Sequence, residues 1–166
     1  MSDLPAPPAG QRIGTVIIAF LIAFIADQAS KWLVVNVVMQ PPRIIGILPF
    51  FNLRLGYNTG ISFGMFADQI EGYATSFALF KMLVTAGLIV WALRTASALE
   101  RWGLALIAGG AAGNILDRYR QGGVTDFLDF FWNGWHYPTF NLADVAITVG
   151  AGLMLLAIFC PASSRS

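Results

Sequence analysis

Residues 122–147 read GGVTDFLDFFWNGWHYPTFNLADVAI, and three of the chain's nine acidic residues, Asp126, Asp129 and Asp144, stand within them. Two carboxyls that face each other in a poorly hydrated site cannot both ionise, so they share a proton. One then serves as base toward a water while the other, protonated, polarises a peptide carbonyl. That chemistry needs no metal, no cofactor and no external nucleophile. Asp126 and Asp144 are the candidate pair. Each also has an ordinary explanation. Asn141 can cap a helix whose third position is Asp144, where the dipole and free N–H groups favour a negative charge. Asp126, in a Gly-rich approach, can be a turn residue. Asp129, three residues further, would point the other way on a strand and reads as structural.

Other polar residues stand beside apolar runs. In GGAAGNILDRYR, Asn114 and Arg118 are four apart and share a helix face, while Gly109, Gly113 and the neighbouring alanines suit close helix contact. Either Arg118 snorkels to an interface with Asp117 capping or pairing locally, or Asn114 and Arg118 orient the acid pair or its substrate. The cost of Asn beside Arg in a membrane favours the second. Asp27 and Lys31 are spaced for a helical ion pair, the alternative being that they position a lipid headgroup or a peptide. Lys81 either snorkels or meets Asp27. His136 lies among Trp132, Trp135 and Tyr137, an aromatic set suited to a membrane interface, and no second His or Cys is spaced to complete a metal site. Cys160 is the single cysteine, so no internal disulfide forms, and its apolar flanks suit packing.

The elements that must hold these groups follow from composition. The chain is 57% hydrophobic and 11% charged, against about 25% charged in soluble domains. That predicts a membrane protein, mainly α. A net charge of +1 argues against nucleic acid as a partner. Four spans are expected, at about 12–34, 73–94, 102–119 and 141–160. Crossing takes about 20 residues, and each of these segments must draw an ionisable group into its length or edge. The first resembles a signal peptide but has no small-residue cleavage site, and DQASKW continues it, so it is read as a retained span. Back-and-forth threading puts the charged ends of spans one and three, the start of span four and the first half of span two near one surface. Basic residues divide too evenly to orient the bundle. On the charged side, FFNLRLGYN sets Phe51, Leu53, Leu55 and Tyr57 against Asn52, Arg54, Gly56 and Asn58, the period of a half-buried strand. NTG supplies a turn and ISFGMF a possible return strand. A small sheet over the polar layer, at about 43–66, would be a platform for an extended peptide.

The motifs DQASK (27–31), NTGISFG (58–64), GGAAGNILDR (109–118), GGVTDF (122–127) and FNLADVAI (140–147) occur in an order and spacing that resemble the lipoprotein signal peptidase (signal peptidase II) family. The resemblance covers the chain from first span to last. It implies an intramembrane aspartic endopeptidase of the bacterial inner membrane, with four transmembrane helices and both termini cytoplasmic. The active site, the β platform and a surface loop would lie toward the periplasm. The implied substrate is a prolipoprotein with a diacylglyceryl-modified Cys, cut on the N-terminal side of that Cys. Asp126 and Asp144 would be catalytic. Asp27, Lys31, Asn58, Gly110, Asn114, Arg118, Asn141 and Ala143 would bind substrate or support the site. Membrane lipid and globomycin-like inhibitors would be the other partners, and a monomer is expected. A single peptidase domain would span 12–160, between a Pro-rich tail at 1–11, expected to be disordered, and a C-terminal tail at 161–166. Lys81 matches no motif of the family.

Two other classes account for buried acids. A proton-coupled transporter would spread them through the membrane depth, often in repeated halves, whereas here they gather at one face without internal symmetry. A non-enzymatic scaffold would keep its function as Asp126→Asn or Asp144→Asn.

Overall fold

The computed structural model describes residues 8–59 and 74–159, with side chains in the second stretch from residue 79 onward. The ISFGMF segment, with it residues 60–66 of the expected platform, Cys160, residues 1–7 and the C-terminal tail at 161–166 lie outside the described residues. Among the described residues four α-helices carry the fold: α1 (Ala9–Leu33), α2 (Ala74–Arg94), α3 (Ala98–Gln121) and α4 (Leu142–Phe159). α1 continues into a π-helical turn, Val34–Val38. The structure corrects the tail at 1–11, because α1 already includes residues 9–11. The Pro8 carbonyl accepts the N–H groups of Gln11 and Arg12 at 3.0 and 3.2 Å, and so starts the helix where proline cannot extend it backward. α3 is punctuated at both ends. Ser97 Oγ accepts the Glu100 N–H at 3.3 Å, and Gly122 closes the helix at φ 75°, its N–H donating to the Arg118 carbonyl.

α3 is the central helix, packed against α1, α2 and α4. Its glycines make this possible. A Cβ on Gly103 would meet the Gly150 carbonyl of α4 at 2.6 Å, one on Gly109 the Phe20 carbonyl of α1, and one on Gly110 the Ala143 carbonyl of α4. Val16, Ala19, Ala92, Leu104 and Ala105 form the core at the end remote from the sheet. The outward faces are apolar, with Ile18, Ile22 and Ile25 of α1, Leu83 of α2 and Leu155, Ile158 and Phe159 of α4 all exposed, while Asp27, Lys31 and Asp117 are buried. This inverts the pattern of a protein in water. Among the described residues, two helices are long and apolar enough to cross a membrane, Ala9–Val38 and Leu142–Phe159.

One antiparallel sheet covers one end of the bundle, in the order β1 (Ile44–Leu48), β2 (Phe51–Asn58), β3 (Val124–Trp132), β4 (Trp135–His136). The small sheet is present, but the platform at 43–66 is incomplete: half of its strands come from the later connection. Two residues separate the end of α3 from the start of β3, and the Asn133–Gly134 turn, at φ 47° and 81°, folds β3 onto β4. β2 is the expected strand, yet its alternation breaks. Leu53 pairs with Leu128 and Gly56 with Asp126, so Arg54 and Leu55 together oppose Phe127. The extra residue exchanges the two faces beyond it. Tyr57, expected on the apolar side, is therefore 57% exposed, and Asn58 turns in to hydrogen-bond Asp126. Val34, Met39 and Phe127 are buried together and bind the sheet to the end of α1.

Candidate active site

Asp126 and Asp144 arrive on different kinds of element. Asp126 sits on β3, 2% exposed. Asp144 lies in the first turn of α4, and it caps that helix reciprocally with Asn141. The Asp144 N–H donates to Asn141 Oδ1 at 3.0 Å, and the Asn141 N–H donates to Asp144 Oδ2 at 3.2 Å. This is the capping box in its Asn/Asp form. The side-chain amide of Asn141 is left to donate elsewhere, and it reaches Asp126 Oδ1 at 2.6 Å. One residue thus touches both acids.

Asn114 fixes the other side of Asp144. Its Oδ1 accepts the Lys31 ammonium at 2.9 Å. Lysine only donates, so the Asn114 amide must present its own N–H groups elsewhere, and they meet Asp144 Oδ1 at 3.0 Å. Beneath lies a buried ionic cluster. Lys31 Nζ is 2.8 Å from Asp27 Oδ2 and 2.9 Å from Asp117 Oδ2, so with Asn114 all three of its hydrogens are used. Gln28 donates to Asp27 Oδ2 at 3.1 Å and to Asp117 Oδ1 at 3.0 Å. Both carboxylates also grip backbone. Asp27 Oδ1 takes the Ala143 N–H at 3.0 Å, and Asp117 Oδ2 takes the Thr125 N–H at 3.2 Å. Each of these N–H groups belongs to the residue just before a candidate catalytic acid.

A cavity of about 300 Å³ opens where the sheet meets the bundle. Asp126, Asp144, Asn58, Thr139, Asn114 and Arg118 form its polar end, and Val84, Leu88, Ile107, Ala111 and Ile147 its apolar walls. Arg118 lies within the fields of Asp126, Asp144 and Asp117, and its Nη1 also donates to the Asn114 carbonyl at 3.3 Å. Burial, and then the charge of Asp144, push the Asp126 carboxyl up to about 6. A carboxyl so displaced holds a proton where an exposed aspartate has lost it. The arrangement can deliver a proton to one oxygen and remove another from water at the same place.

The structure therefore brings together Asp126, Asp144, Asn58, Asn114, Arg118 and Asn141 around one cavity, with Asp27, Lys31 and Ala143 behind them. Gly110 acts through absence of a side chain, letting α4 approach α3 at Ala143. Asp27 and Lys31 do pair. Asp117 does not pair locally, as one reading had it, but holds Lys31 and the start of β3. Lys81 does not meet Asp27, whose acceptors are taken; it lines the cavity. Three groups were missed as site-builders: Gln28, Asp117 and Thr125. All three belong to the quoted motifs, which was the one signal available. Asp129 is buried on the opposite side of β3, with His136 Nδ1 at 2.8 Å and Asn52 Nδ2 at 3.3 Å. His136 thus has a partner beyond the aromatic belt read for it.

Comparison with known proteins places the chain in a family. The family model described as signal peptidase (SPase) II matches residues 19–160. A lipoprotein signal peptidase of Aeromonas hydrophila is 45% identical over 82% of this chain and 83% of its own. One of Actinobacillus succinogenes is 41% identical over 83% and 85%, and one of Neisseria gonorrhoeae 43% identical over 82% and 84%. A bacterial membrane enzyme solved by the in meso method at 2.3 Å is similar with TM-score 0.77 and 27% identity, covering 93% of each chain. A second, solved at 1.9 Å, gives TM-score 0.74 and 26% identity over 92% of this chain and 96% of that one. With a match of this extent laid over an acid pair and its supporting cluster, the chain belongs to the signal peptidase II family.

Proposed function

We propose that this chain is an intramembrane aspartic endopeptidase that removes the signal peptide from diacylglyceryl-modified bacterial prolipoproteins, cutting on the N-terminal side of the lipidated Cys. The observation that carries the reading is the cavity into which Asp126 and Asp144 both open, polar at the sheet and apolar along the helices. A substrate that is half lipid and half apolar helix needs a site of that character, placed at the bilayer surface.

In the proposed reaction the shared proton rests on Asp126, the acid whose hold on it burial strengthens. Asp144 takes a proton from water as the water oxygen attacks the scissile carbonyl carbon. Asp126 gives its proton to the carbonyl oxygen, forming a neutral tetrahedral diol. Asp144 returns its proton to the amide nitrogen as the C–N bond breaks, and a diol hydroxyl returns one to Asp126. The products are a signal peptide with a new carboxyl end and a lipidated Cys with a free amine. Asn141 and Asn114 hold the acids in register throughout, and water exclusion by the apolar walls strengthens each hydrogen bond.

The same reading takes all four helices as spans of the inner membrane, the sheet toward the periplasm and the protein as a monomer. Support comes from the apolar outer faces of the helices and the burial of charge at the sheet end. Globomycin-like cyclic peptides are expected to fill the same cavity. The test is a gel-shift assay on diacylglyceryl-modified prolipoprotein in detergent–lipid micelles. Wild type cleaves, while Asp126→Asn and Asp144→Asn, folded and inserted, do not. Full cleavage by either variant contradicts the mechanism and favours the scaffold reading.

A further inference from the structure

We propose that Thr139 is a substrate-binding residue whose hydroxyl hydrogen-bonds the main chain of the peptide beside the scissile bond. The inference rests on the peptidase reading above and adds one contact in the same cavity. Thr139 stands at the polar end of that cavity with Asp126 and Asp144. The other polar side chains there are engaged within the protein. Asn141 donates to Asp126 and Asn114 to Asp144, Asn58 hydrogen-bonds Asp126, and Arg118 donates to the Asn114 carbonyl. Among the described residues the Thr139 hydroxyl makes no hydrogen bond. A peptide that fills the cavity must satisfy this hydroxyl or bury it unpaired, which is costly.

The backbone holds the hydroxyl in place. Residues 137–140 pass antiparallel to β3. The Tyr137 N–H donates to the Phe130 carbonyl at 2.8 Å and the Phe140 N–H to the Leu128 carbonyl at 3.1 Å. The Phe140 carbonyl accepts the Phe127 and Leu128 N–H groups at 3.0 and 2.9 Å. Pro138 restricts the backbone just before Thr139, and the Phe140 ring just after it stacks on Phe130 with centroids 5.6 Å apart. Thr139 is itself β-branched, so its χ1 is stiff. Gly56 stands beside the hydroxyl, paired with Asp126 in the β2–β3 ladder. A Cβ on Gly56 would come to 3.2 Å from Thr139 Oγ1, so glycine keeps that approach open. The acids act on an amide, and what flanks an amide in a peptide is further main chain, whose polar groups are N–H and C=O. A hydroxyl donates and accepts, so it serves either. Thr139 thus contributes to substrate affinity and takes no part in proton transfer.

Wild type, Thr139→Val and Thr139→Ser full-length proteins in detergent–lipid micelles would be assayed for kcat and KM on diacylglyceryl-modified prolipoprotein across pH, with Tm measured for each. Val keeps the branched shape and removes the hydroxyl. The expected result is a KM about fivefold higher for Thr139→Val, as for the loss of one neutral hydrogen bond to substrate. Its kcat should stay within about twofold, its pH profile and Tm should match wild type, and Thr139→Ser should recover most of the affinity. A wild-type KM in Thr139→Val overturns this inference alone. So does a clearly lowered Tm, which would mean that the hydroxyl is bonded within the protein. A loss confined to kcat with a displaced pH profile, or Thr139→Ser as impaired as Thr139→Val, overturns it equally. Wild type that fails to cleave overturns the peptidase reading and this inference with it.

Discussion

Asp27 Oδ1 accepts the backbone N–H of Ala143 at 3.0 Å, across 116 positions of sequence. Asp117 Oδ2 does the same for Thr125 at 3.2 Å, and Lys31 joins the two acids. The start of α4 and the start of β3 are thus fastened to one buried ammonium, one residue ahead of Asp144 and Asp126 respectively. Asp27→Asn tests the fastening. An Asn oxygen can still accept from Ala143, but its NH2 then faces Lys31 and Gln28, donor against donor. We expect a loss of roughly 1–3 kcal/mol, read as a lower Tm in micelles, together with at least tenfold slower cleavage. Unchanged values for both would show that the fastening is dispensable.

Gly113→Ala should harm the same cluster by volume alone. A Cβ there falls on Asp27 Oδ2, closer than real Cβ atoms come, and that carboxyl is tied at both oxygens. The expected loss is about 1–3 kcal/mol, the range for overpacking, with activity falling alongside. Gly152→Ala is the control, since its Cβ would meet nothing within 4 Å. It should be neutral, or stabilising by about 0.5–1 kcal/mol through helix propensity. Equal damage from both would refute the steric account.

The pH profile follows from the pair. At low pH both acids are protonated and no base remains. As pH rises through about 6, the proton on Asp126 is lost and with it the electrophilic partner. kcat/KM should therefore be bell-shaped, its alkaline limb within about a unit of that value for the free enzyme. Cleavage rates of a short lipidated peptide from about pH 4 to about pH 9 would show it. A flat plateau through the upper half of that range would mean that no shared proton is required.

Stability should move oppositely to activity in Asp126→Asn. Because the fold raises this carboxyl from 3.8 to about 6, the folded state binds more protons in that window and stability falls as pH rises through it. The penalty is absent below 3.8 and complete above about 6. Asn carries no such charge. Near neutral pH the variant should be the more stable by on the order of 1–3 kcal/mol, and the advantage should shrink on acidification. Thermal melts of both proteins at several pH values decide it, a pH-independent difference being the adverse result.

His136→Ala separates architecture from chemistry. Asp129 is wholly buried, and its partners are His136 and Asn52. Removing the imidazole leaves a poorly satisfied carboxylate in the sheet and should lower stability by roughly 1–3 kcal/mol. Asp129 and His136 border a different cavity from the one that holds Asp126 and Asp144. Cleavage at permissive temperature should therefore stay within about threefold of wild type, and a dead yet folded variant would place His136 in the reaction.

Much of the site was legible wherever it obeys short-range rules. Asn141 and Asp144 are a helix cap, Asp27 and Lys31 a helical pair, Asn114 and Arg118 neighbours on one face, and all of these contacts or placements are local in sequence. The engagement of Asp117 with Lys31 and Thr125 depends on how α1, α3 and β3 meet, and no spacing encodes it. β3 escaped for a different reason. Val124, Thr125, Asp126 and Phe127 are all buried, so the strand lacks the alternation by which β2 was recognised. The Asn133–Gly134 turn after it was a readable hairpin signal that went unused. The face exchange beyond Arg54 and Leu55 arises from a bulge, which depends on pairing with a partner strand that the segment alone does not reveal.

One acid rides on a strand and the other on a helix, and this bears on the protein's own birth. A chain still threading into the bilayer has its sheet unformed, hence two isolated carboxylates and no proteolytic power. On the proposed reading, competence arrives only when β3 and α4 have both docked, so the newborn enzyme is harmless to neighbouring polypeptides until it is whole.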